Sequence, residues 1–360
     1  MANIRLLRIK NFLDKSLFTH ILLSDTIDIE YLTDFQSSNV YCIISKQKNV
    51  LCSDFRYREA ALAFCRRHRG WKFLEVKEND FLSFSAAFGV KGIVGFQSHV
   101  VTVDQFRMLR ARCPGVRFAH LPKDFQDIFA PKLPDEILFM QKAAAIGDKA
   151  FGVMLRRARP GITEQELAGV CDNECRKRGS ERPSFDTIVL FGRRAALPHG
   201  RPSNARLRNG DWVLCDFGCT VQGFASDMTR TFVMGKASVR QKKLYDVVCR
   251  AQESARRFAA AGVKACDVDS RARQVIAMAG HARLFGHATG HGVGLRVHEK
   301  PRIGANDGTI LQKGTVITIE PGIYDGRWGG IRIEDMVVVG ENGCEVLTKS
   351  PRHLIEAGIR

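Results

Sequence analysis

The segment HATGHGVGLRVHE (287–299) places three histidines within thirteen residues, and imidazole serves proteins both as a metal ligand and as a proton carrier. His287 and His291 are four residues apart, the spacing that would put both rings on one face of a helix. Glycines interrupt the segment, however, and each glycine inside a helix costs about 1 kcal/mol relative to alanine. Aliphatic side chains also alternate with other residues from Val293 to Val297, which indicates a strand. We therefore expect an extended segment rather than a helical pair of metal ligands.

Four carboxylates lie in two hydrophobic segments that are typical of hairpins. In VLCDFGCTVQGFASDMTRTF, a turn at the centre would place Asp216 opposite Asp227. In VITIEPGIYDGRWGGIRIED, a loop near residues 325–328 would place Glu320 opposite Glu334. Like charges that face each other across a sheet destabilise it unless something positive lies between them.

These four acids would need compensating charge in a shared pocket, since burying an ionised carboxylate without a partner is very costly. Two divalent cations would supply that charge. The alternative for each acid by itself is an ordinary residue at a strand end that faces water. Four acids in matched hairpins, together with a glycine-rich histidine segment, favour the metal site. Oxygen ligands with one imidazole suit manganese or a similar ion better than a structural zinc site.

Two similar halves of the chain contain these hairpins. Each half is predicted to begin with a long helix followed by a shorter one, at 135–157 and 161–179 and again at about 238–260 and 262–280. Thr163 and Glu166 fit a capping box, and Asp267 is a possible cap in the second half. The hydrophobic strands that end near Asp216 and Glu320 follow at similar distances. This order predicts a pseudo-symmetric α+β domain of helices that cover an antiparallel sheet.

The N-terminal third alternates between short strands and helices, which indicates a separate α/β domain. We predict strands at 40–44, 50–52 and 91–96 and a helix at 57–67. Two domains also suit a chain of 360 residues, because single cores stop growing at about 250–300 residues. Pro131 and Pro134 mark a linker. The predicted organisation is an N-terminal domain at 1–125, a linker at 126–134 and a C-terminal domain at 135–360.

The composition argues against several classes of protein. The formal charge is +17, but the basic clusters are scattered over predicted helices without interleaved aromatic residues, so we expect no specific nucleic-acid partner. No apolar run is long enough to span a membrane, and charged residues interrupt the N-terminus before a signal-peptide core could form. Eleven cysteines contain no CxxC pair, which favours a reduced, cytoplasmic protein over a disulfide framework.

Several of these segments together resemble one family. SFDTIVLFGRRAALPHGRPS, DFG…SDMTRTF, HATGHGVGLRVHE, TIEPGIY and GIRIED are similar, in this order, to motifs of proline-specific metallopeptidases with the pita-bread fold, the Xaa-Pro aminopeptidases and Xaa-Pro dipeptidases (prolidases). IEYLTDF and LCSDFRY resemble motifs of the creatinase-type N-terminal domain in the same family. Asp34 stands where that motif has glycine, and the segment before Pro134 lacks the usual Arg and Lys pattern. The resemblance covers nearly the whole chain.

The resemblance implies a centre of two divalent metal ions, with Mn²⁺ favoured and Co²⁺ or Zn²⁺ as alternatives. Asp227 and Glu334 would bridge the ions, Asp216 would complete one site, and His291 with Glu320 would complete the other. The HATGHGVGLRVHE segment would thus supply one ligand, while four carboxylates supply the rest. This agrees with the interpretation of the hairpins.

The resemblance also implies roles around the substrate. The metals would activate a water molecule, with Glu320 as the base that takes its proton. His298 would stabilise the oxyanion, His287 would position the substrate, and His199 would contact the proline side. Arg332 would orient the carboxylates.

The activity implied by the family is hydrolysis of the Xaa-Pro bond, which releases the N-terminal residue from proline-containing peptides or dipeptides. A methionine aminopeptidase-like activity and a non-catalytic peptide-binding protein of the same fold are the alternatives. The family commonly forms homodimers, so we expect a homodimer here. The preference between dipeptides and longer peptides stays open at this point, as does the native metal.

Overall fold

The computed structural model describes residues 2–77, 84 and 92–358 of the chain. Contacts within it divide the chain into two units, Met1–Phe129 and Ala130–Arg360. Among the described residues, no helix is both long enough and apolar enough to cross a lipid bilayer.

The first unit is built on a mixed β-sheet. Its elements in chain order are α1 (Ala2–Asp14), β1 (His20–Leu23), α2 (Thr26–Thr33), β2 (Val40–Ser45), β3 (Asn49–Ser53), a 3₁₀ turn (Phe55–Tyr57), α3 (Arg58–Arg67), β4 (Trp71–Glu75), β5 (Ile93–Phe96), α4 (Val103–Arg112), β6 (Arg117–His120) and a 3₁₀ segment (Lys123–Phe129). The strand order is β4-β3-β2-β1-β5-β6. Ile21 and Leu23 of β1 enter one hydrophobic core and Leu22 enters another, so the sheet is buried on both faces.

The predicted elements of this unit are present. β2 and β3 pair in antiparallel register, as expected for the strands at 40–44 and 50–52. Asp34, which replaces a glycine of the family motif, ends α2 in the left-handed region with φ 56°. Glycine adopts this region without strain, and aspartate tolerates it better than most residues. Arg5 also donates a hydrogen bond to Asp34 Oδ1 at 3.0 Å, which gives the aspartate a partner that glycine would lack.

The second unit contains two helix pairs, each followed by strands. Its elements in chain order are α5 (Pro134–Arg157), α6 (Glu164–Lys177), β7 (Ile188–Phe191), a 3₁₀ turn (Gly192–Ala196), β8 (Trp212–Phe217), β9 (Thr220–Val221), β10 (Phe224–Ala225), β11 (Met228–Met234), α7 (Val239–Phe258), α8 (Ala265–Met278), a 3₁₀ turn (Ala282–Leu284), β12 (Gly290–Gly292), β13 (Glu299–Ile303), β14 (Val316–Ile319), β15 (Gly322–Asp325), β16 (Gly329–Arg332), β17 (Asp335–Gly340), β18 (Gly343–Val346) and β19 (Glu356–Ala357). The segment with three histidines is not helical, as predicted, and Gly290–Gly292 forms β12. The strand expected over residues 293–297 is wrong, because these residues form a turn between β12 and β13.

The two halves of this unit repeat one arrangement. α5 and α6 pack on one face of the sheet β19-β11-β8-β7, and α7 and α8 pack on the sheet β13-β12-β14-β17-β18. Each sheet contains three neighbouring strands in equivalent order, β7-β8-β11 in the first half and β12-β14-β17 in the second. This is the pseudo-symmetric α+β arrangement that the order of helices and hairpins predicted.

The helix caps were predicted correctly in one half only. Thr163 and Glu166 form the expected capping box at the start of α6. The proposed cap at Asp267 is wrong, because Lys264 occupies the N-cap position of α8. The backbone N–H groups of Ala265 and Cys266 donate to carbonyl oxygens of the β13–β14 connection, at 2.9 Å each. The N–H groups of Glu164 and Gln165 at the start of α6 donate to the carbonyl oxygens of Ala205 and Ser203 in the same way. Tertiary contacts therefore satisfy the first donors of both helices, and only α6 adds a capping box.

The strand register corrects one of the two predicted carboxylate pairs. Asp216 in β8 lies opposite Thr229 of β11, so Asp227 is two residues away along the strand rather than directly opposite. In the second half the registers of β14–β17 and β15–β16 agree, and both place Glu320 at the position opposite Glu334. Two residues along a strand return to the same face. All four acids can therefore reach one space.

A fully buried arginine fixes the backbone behind two of these acids. Arg230 of β11 donates to Asp335 Oδ1 at 2.6 Å and to the carbonyl oxygen of Ser350 at 2.8 Å. It also donates to the carbonyl oxygens of Thr229, at 2.9 Å, and of Glu334. Because a buried guanidinium must have its donors satisfied, this cluster holds β11 and the start of β17 in one arrangement.

Replacing Arg230 with methionine should lower the free energy of unfolding by about 3 kcal/mol. Removing one partner of a buried ion pair costs roughly 3–5 kcal/mol, and Arg352, which lies 3.0 Å from Asp335, recovers part of that cost. Arg257→Met is the matched control, because Arg257 pairs with Glu253 on an exposed helix face, where ion pairs contribute little. Urea unfolding followed by circular dichroism measures both. Equal midpoints for the two variants would contradict a stabilising role of the buried cluster.

Candidate metal centre and substrate cavity

A cavity of about 550 Å³ lies in the second unit, and every residue that the sequence predicted for the site lines it. These residues are His199, Asp216, Asp227, His287, His291, His298, Glu320, Arg332 and Glu334. Glu299 and Arg302 line the same cavity, although the sequence did not single them out. The structure thus brings together residues from both halves of the unit.

Three of the predicted ligands already lie at metal-binding distances from one another. Asp227, His291 and Glu334 each offer a ligand atom within 4.8 Å of the other two. His291 Nε2 lies 3.6 Å from Asp227 Oδ2 and 3.3 Å from Glu320 Oε1. The other ring nitrogen, Nδ1, lies 3.0 Å from the carbonyl oxygen of Gly292. Since a carbonyl only accepts, Nδ1 carries the hydrogen, and Nε2 is the nitrogen available to a metal.

The glycines around His291 allow its strand to fit between two neighbours. β12 pairs with β13 on one side and with β14 on the other. A Cβ atom at Gly290 would overlap the carbonyl oxygen of Thr318, and one at Gly292 would overlap that of Lys300. Thr318 also accepts the backbone N–H of His291 at its hydroxyl oxygen, at 3.1 Å. Glycine at both positions therefore brings the His291 ring close to the carboxylates.

The electrostatics of the cavity show a surplus of negative charge. Burial raises the pKa of Asp227 and of Glu334 well above the usual range, and the charges of neighbouring carboxylates raise both further. Burial also raises the pKa of Glu320, but the hydrogen bond and the charge of His291 outweigh it and lower the value to about 2. Without added positive charge, Asp227 and Glu334 therefore favour the protonated form more strongly than an ordinary carboxyl group does. Bound cations remove that preference, because they favour the ionised carboxylates.

Asp216 gives a direct test of whether the site fits a metal. Its Oδ2 accepts a hydrogen bond from Arg332 Nη2 at 2.6 Å. Its Oδ1 is buried and has no hydrogen-bond partner among the described residues. Buried polar atoms are nearly always paired, so an unpaired carboxylate oxygen in a cavity that holds three more acids is suited to a cation. The donor set of four carboxylates and one imidazole fits this requirement.

Arg332 organises the carboxylates through two residues that sequence reasoning missed. It donates to Thr229 Oγ1 and to Tyr324 Oη, at 2.9 Å each. Thr229 in turn donates to Glu334 Oε2 at 2.6 Å. Two sequence signals could have identified these residues. Thr229 lies two residues after Asp227 and therefore on the same face of its strand, and Tyr324 is the last residue of the TIEPGIY motif.

His287 is held by Tyr324 rather than by a carboxylate. Its Nδ1 lies 2.7 Å from the carbonyl oxygen of Ala288 and therefore carries the hydrogen. Its Nε2 lies 2.9 Å from Tyr324 Oη and accepts a hydrogen bond from the phenol hydroxyl group. Burial lowers the pKa of His287 and also that of His298, so both rings are neutral at pH 7. The His298 ring packs edge-on against His291, with 4.4 Å between ring centroids.

Helix α8 positions the segment that leads into these histidines. Asp269 accepts from the backbone N–H and the hydroxyl of Thr289, at 3.0 and 2.8 Å. Arg273, paired with Asp269 at 2.6 Å, donates to the carbonyl oxygens of Phe285 and His287. The pair thus anchors the chain on both sides of His287 before β12 begins.

Comparison with known proteins shows to which family the chain belongs. The sequence matches metallopeptidase family M24 over residues 139–341 and the creatinase/prolidase N-terminal domain over residues 5–128. A solved structure of an Xaa-Pro dipeptidase from Bacillus anthracis has a TM-score of 0.93 and 32% identity, covering 99% of this chain and 99% of that chain. An X-Pro aminopeptidase from Thermotoga maritima MSB8 has a TM-score of 0.86 and 32% identity, covering 98% and 100%.

A relative with a similar match comes from Pyrococcus furiosus. Its Xaa-Pro dipeptidase is 38% identical over 284 residues, which are 79% of this chain and 79% of that protein. These matches confirm the predicted fold class, a creatinase-type N-terminal domain followed by a C-terminal catalytic domain with the pita-bread fold. The chain belongs to metallopeptidase family M24 and is a hydrolase of that family.

Proposed function

We propose that this chain is an exopeptidase that uses two divalent metal ions to hydrolyse the Xaa-Pro bond, with Xaa-Pro dipeptides as its preferred substrates. The observation that carries the proposal is one cavity lined by four carboxylates and four histidines of the predicted set. Similarity to proteins named as Xaa-Pro peptidases supports the substrate class. Mn²⁺ fits the predominance of carboxylate ligands best.

The proposed ligands are those that the family resemblance implies. Asp216, Asp227, His291, Glu320 and Glu334 would hold the two ions. The short distances among Asp227, His291 and Glu334 support this assignment. Divalent ions bound here would lower the pKa of a water molecule and polarise the scissile carbonyl.

Glu320 is the carboxylate suited to accept the proton of the attacking water. Its Oε1 lies 3.3 Å from His291 Nε2, so the carboxylate reaches the part of the cavity where the proposed ligands meet. Thr318 donates to its Oε1 at 3.2 Å, which fixes the orientation of the carboxylate. A base that is ionised and oriented needs no rearrangement to take a proton.

The histidines at the cavity wall have substrate roles in this proposal. His298 would donate a hydrogen bond to the oxyanion that forms at the scissile carbonyl. Hydrogen bonds to Ala288 and Tyr324 hold His287 in one orientation, and its ring would position the substrate beside the scissile bond. His199, which lines the cavity next to Pro198, would contact the proline ring of the substrate.

Arg302 supports the preference for dipeptides. It lines the cavity, its side chain is exposed, and its guanidinium makes no hydrogen bond or ion pair in the part of the chain that the structure describes. In an Xaa-Pro dipeptide the free carboxylate lies on the proline itself, directly after the scissile bond, and must enter the same cavity. A guanidinium binds a carboxylate with two parallel hydrogen bonds, so Arg302 can select substrates that end at proline.

The cellular setting is part of the proposal. All eleven cysteines carry free thiols, which supports a reducing, cytoplasmic location. The homodimer expected from the family is a further proposal, which light scattering of the purified chain can measure.

The purified chain, stripped of metal by a chelator and reloaded with Mn²⁺, should release the N-terminal residue from an Xaa-Pro dipeptide. Co²⁺ and Zn²⁺ are expected to support lower rates. Parallel assays with an Xaa-Pro-Xaa tripeptide and a Met-Ala peptide separate the alternatives. Cleavage of Met-Ala without Xaa-Pro cleavage would replace the proposal with a methionine aminopeptidase-like activity. Binding of Xaa-Pro peptides without turnover in any metal-loaded form would indicate a non-catalytic peptide-binding protein.

Glu320→Gln should lower kcat by roughly 10²- to 10⁴-fold, because the variant loses both its proton acceptor and a charged ligand. Glu341→Gln is the matched control, since Glu341 is an exposed acid paired with an exposed lysine. Circular dichroism should show the same fold for both. Full activity of Glu320→Gln with bound metal would refute the assignment of the base.

Arg302→Met should raise KM for an Xaa-Pro dipeptide about tenfold, because a hydrogen bond to a charged group contributes roughly 1.5–3 kcal/mol and exposure reduces this value. The matched substrate is the corresponding Xaa-Pro amide, which has no carboxylate. Its KM should change little in the variant. A similar rise for dipeptide and amide would show that Arg302 does not bind the carboxylate.

A further inference from the structure

A buried lysine lies directly behind the wall of the cavity. The Lys132 side chain is 3% exposed, and its Nζ lies 2.8 Å from Glu299 Oε2. Glu299 lines the cavity and follows His298 in the chain. Nothing in the metal cluster uses either residue. A lysine is seldom buried this deeply without a specific partner, so the pair calls for a physical explanation.

The Glu299 carboxylate is the centre of the turn that carries His298. Its Oε1 accepts the backbone N–H of Arg296 at 3.1 Å, while Oε2 accepts from Lys132. Gly294 N–H donates to the carbonyl oxygen of Arg296 at 2.9 Å, which closes the turn. A Cβ atom at Gly294 would overlap the Glu299 carboxylate. The turn therefore folds around this carboxylate, and glycine at 294 is what allows the close approach.

The backbone on both sides of Lys132 is also fixed. Its N–H donates to the carbonyl oxygen of Gly314 at 2.9 Å, and Pro131 forms a β-bridge with Thr315, the residue before β14. β14 is the strand that leads to Glu320. Lys132 thus connects two parts of the site: its backbone pairs with the segment that enters β14, and its ammonium group binds the turn that carries His298.

Glu299 also determines where β13 begins. In the register of β12 and β13, Gly292 lies opposite Glu299 and His291 lies opposite Arg302, with an irregularity between the two pairs. Two residues proposed to contact substrate, His298 and Arg302, therefore lie on either side of the Glu299 anchor. Removing the charge that neutralises Glu299 would leave a carboxylate in a cavity that already holds four others, and repulsion would displace the turn.

We propose that Lys132 is a positioning residue for catalysis, acting through Glu299 to hold His298 against the reacting carbonyl. This inference rests on the proposed function, because it assumes that His298 acts on the substrate. It predicts that the effect of Lys132 on the reaction passes through His298 and disappears when His298 is absent. A lysine that only stabilised the fold would affect both backgrounds equally.

The test compares four Mn²⁺-loaded proteins on an Xaa-Pro dipeptide: wild type, Lys132→Met, His298→Ala and the variant with both changes. Lys132→Met is expected to lower kcat roughly 10- to 100-fold with a smaller change in KM, since misplacing a catalytic group by about 1 Å costs up to about 10² in rate. In the His298→Ala background, Lys132→Met should lower kcat by a factor of less than about three. An equal loss in both backgrounds would overturn the proposal.

A charge-matched variant keeps the test decisive if Lys132→Met does not fold. Lys132→Met combined with Glu299→Gln removes both charges of the pair together, so it should unfold closer to the temperature of the wild type than Lys132→Met alone. Because the turn then lacks its ionic anchor, kcat should remain at least about fivefold below the wild type, again only when His298 is present. Wild-type kcat in this variant would overturn the proposal.

Two further measurements separate this inference from the proposed function. Lys313→Met is the matched control, because Lys313 forms an exposed pair with Glu341 at 3.0 Å, and it should leave kcat unchanged. If wild-type protein does not cleave the dipeptide, or if His298→Ala keeps full activity, the proposed function fails before Lys132 is tested. If His298→Ala loses activity and Lys132→Met does not, only the positioning role fails.

Discussion

The constraint on which the catalytic unit depends is the burial of four carboxylates around one cavity. Each acid would be costly by itself, and together they repel one another. The fold meets part of this constraint by supplying cationic or hydrogen-bonding groups at fixed positions. One carboxylate oxygen, Asp216 Oδ1, still has no partner among the described residues. That residual deficit is what a cation would satisfy. Ions bound as proposed would thus also offset the repulsion among the acids.

Strand alternation separates the polar site from the apolar core. Along GIRIED, Ile331 and Ile333 enter the hydrophobic core while Arg332 and Glu334 face the cavity. Asp335 then points away from the cavity into a buried cluster with Arg230, Gln252 and Thr348. Adjacent acids therefore have opposite environments. The Arg230 cluster fixes the backbone of Glu334 from behind, so the position of this carboxylate does not depend on a bound ion.

Sequence reasoning predicted local features better than features that depend on distant partners. The capping box at Thr163 and the β2–β3 hairpin follow from short patterns, and the structure contains both. The strand expected over residues 293–297 was wrong, because the chain turns there around the Glu299 carboxylate. The direct opposition of Asp216 and Asp227 was wrong, because a turn position estimated from sequence cannot fix a register to one residue. Thr229 and Lys132 were missed because their partners, Glu334 and Glu299, lie more than 100 positions away along the chain.

A single directed chain of hydrogen bonds links one metal-ligand candidate to the substrate wall. Ala288 requires a hydrogen on His287 Nδ1, so His287 Nε2 must accept from Tyr324, and the phenol oxygen is then available to Arg332. Arg332 in turn donates to Asp216. A guanidinium only donates, so Tyr324 Oη and Asp216 Oδ2 are both acceptors towards Arg332. The glycine-rich segment therefore holds two histidines for different reasons. β12 orients His291 towards the acids, whereas Ala288 and Tyr324 fix the orientation of His287 and burial lowers its pKa.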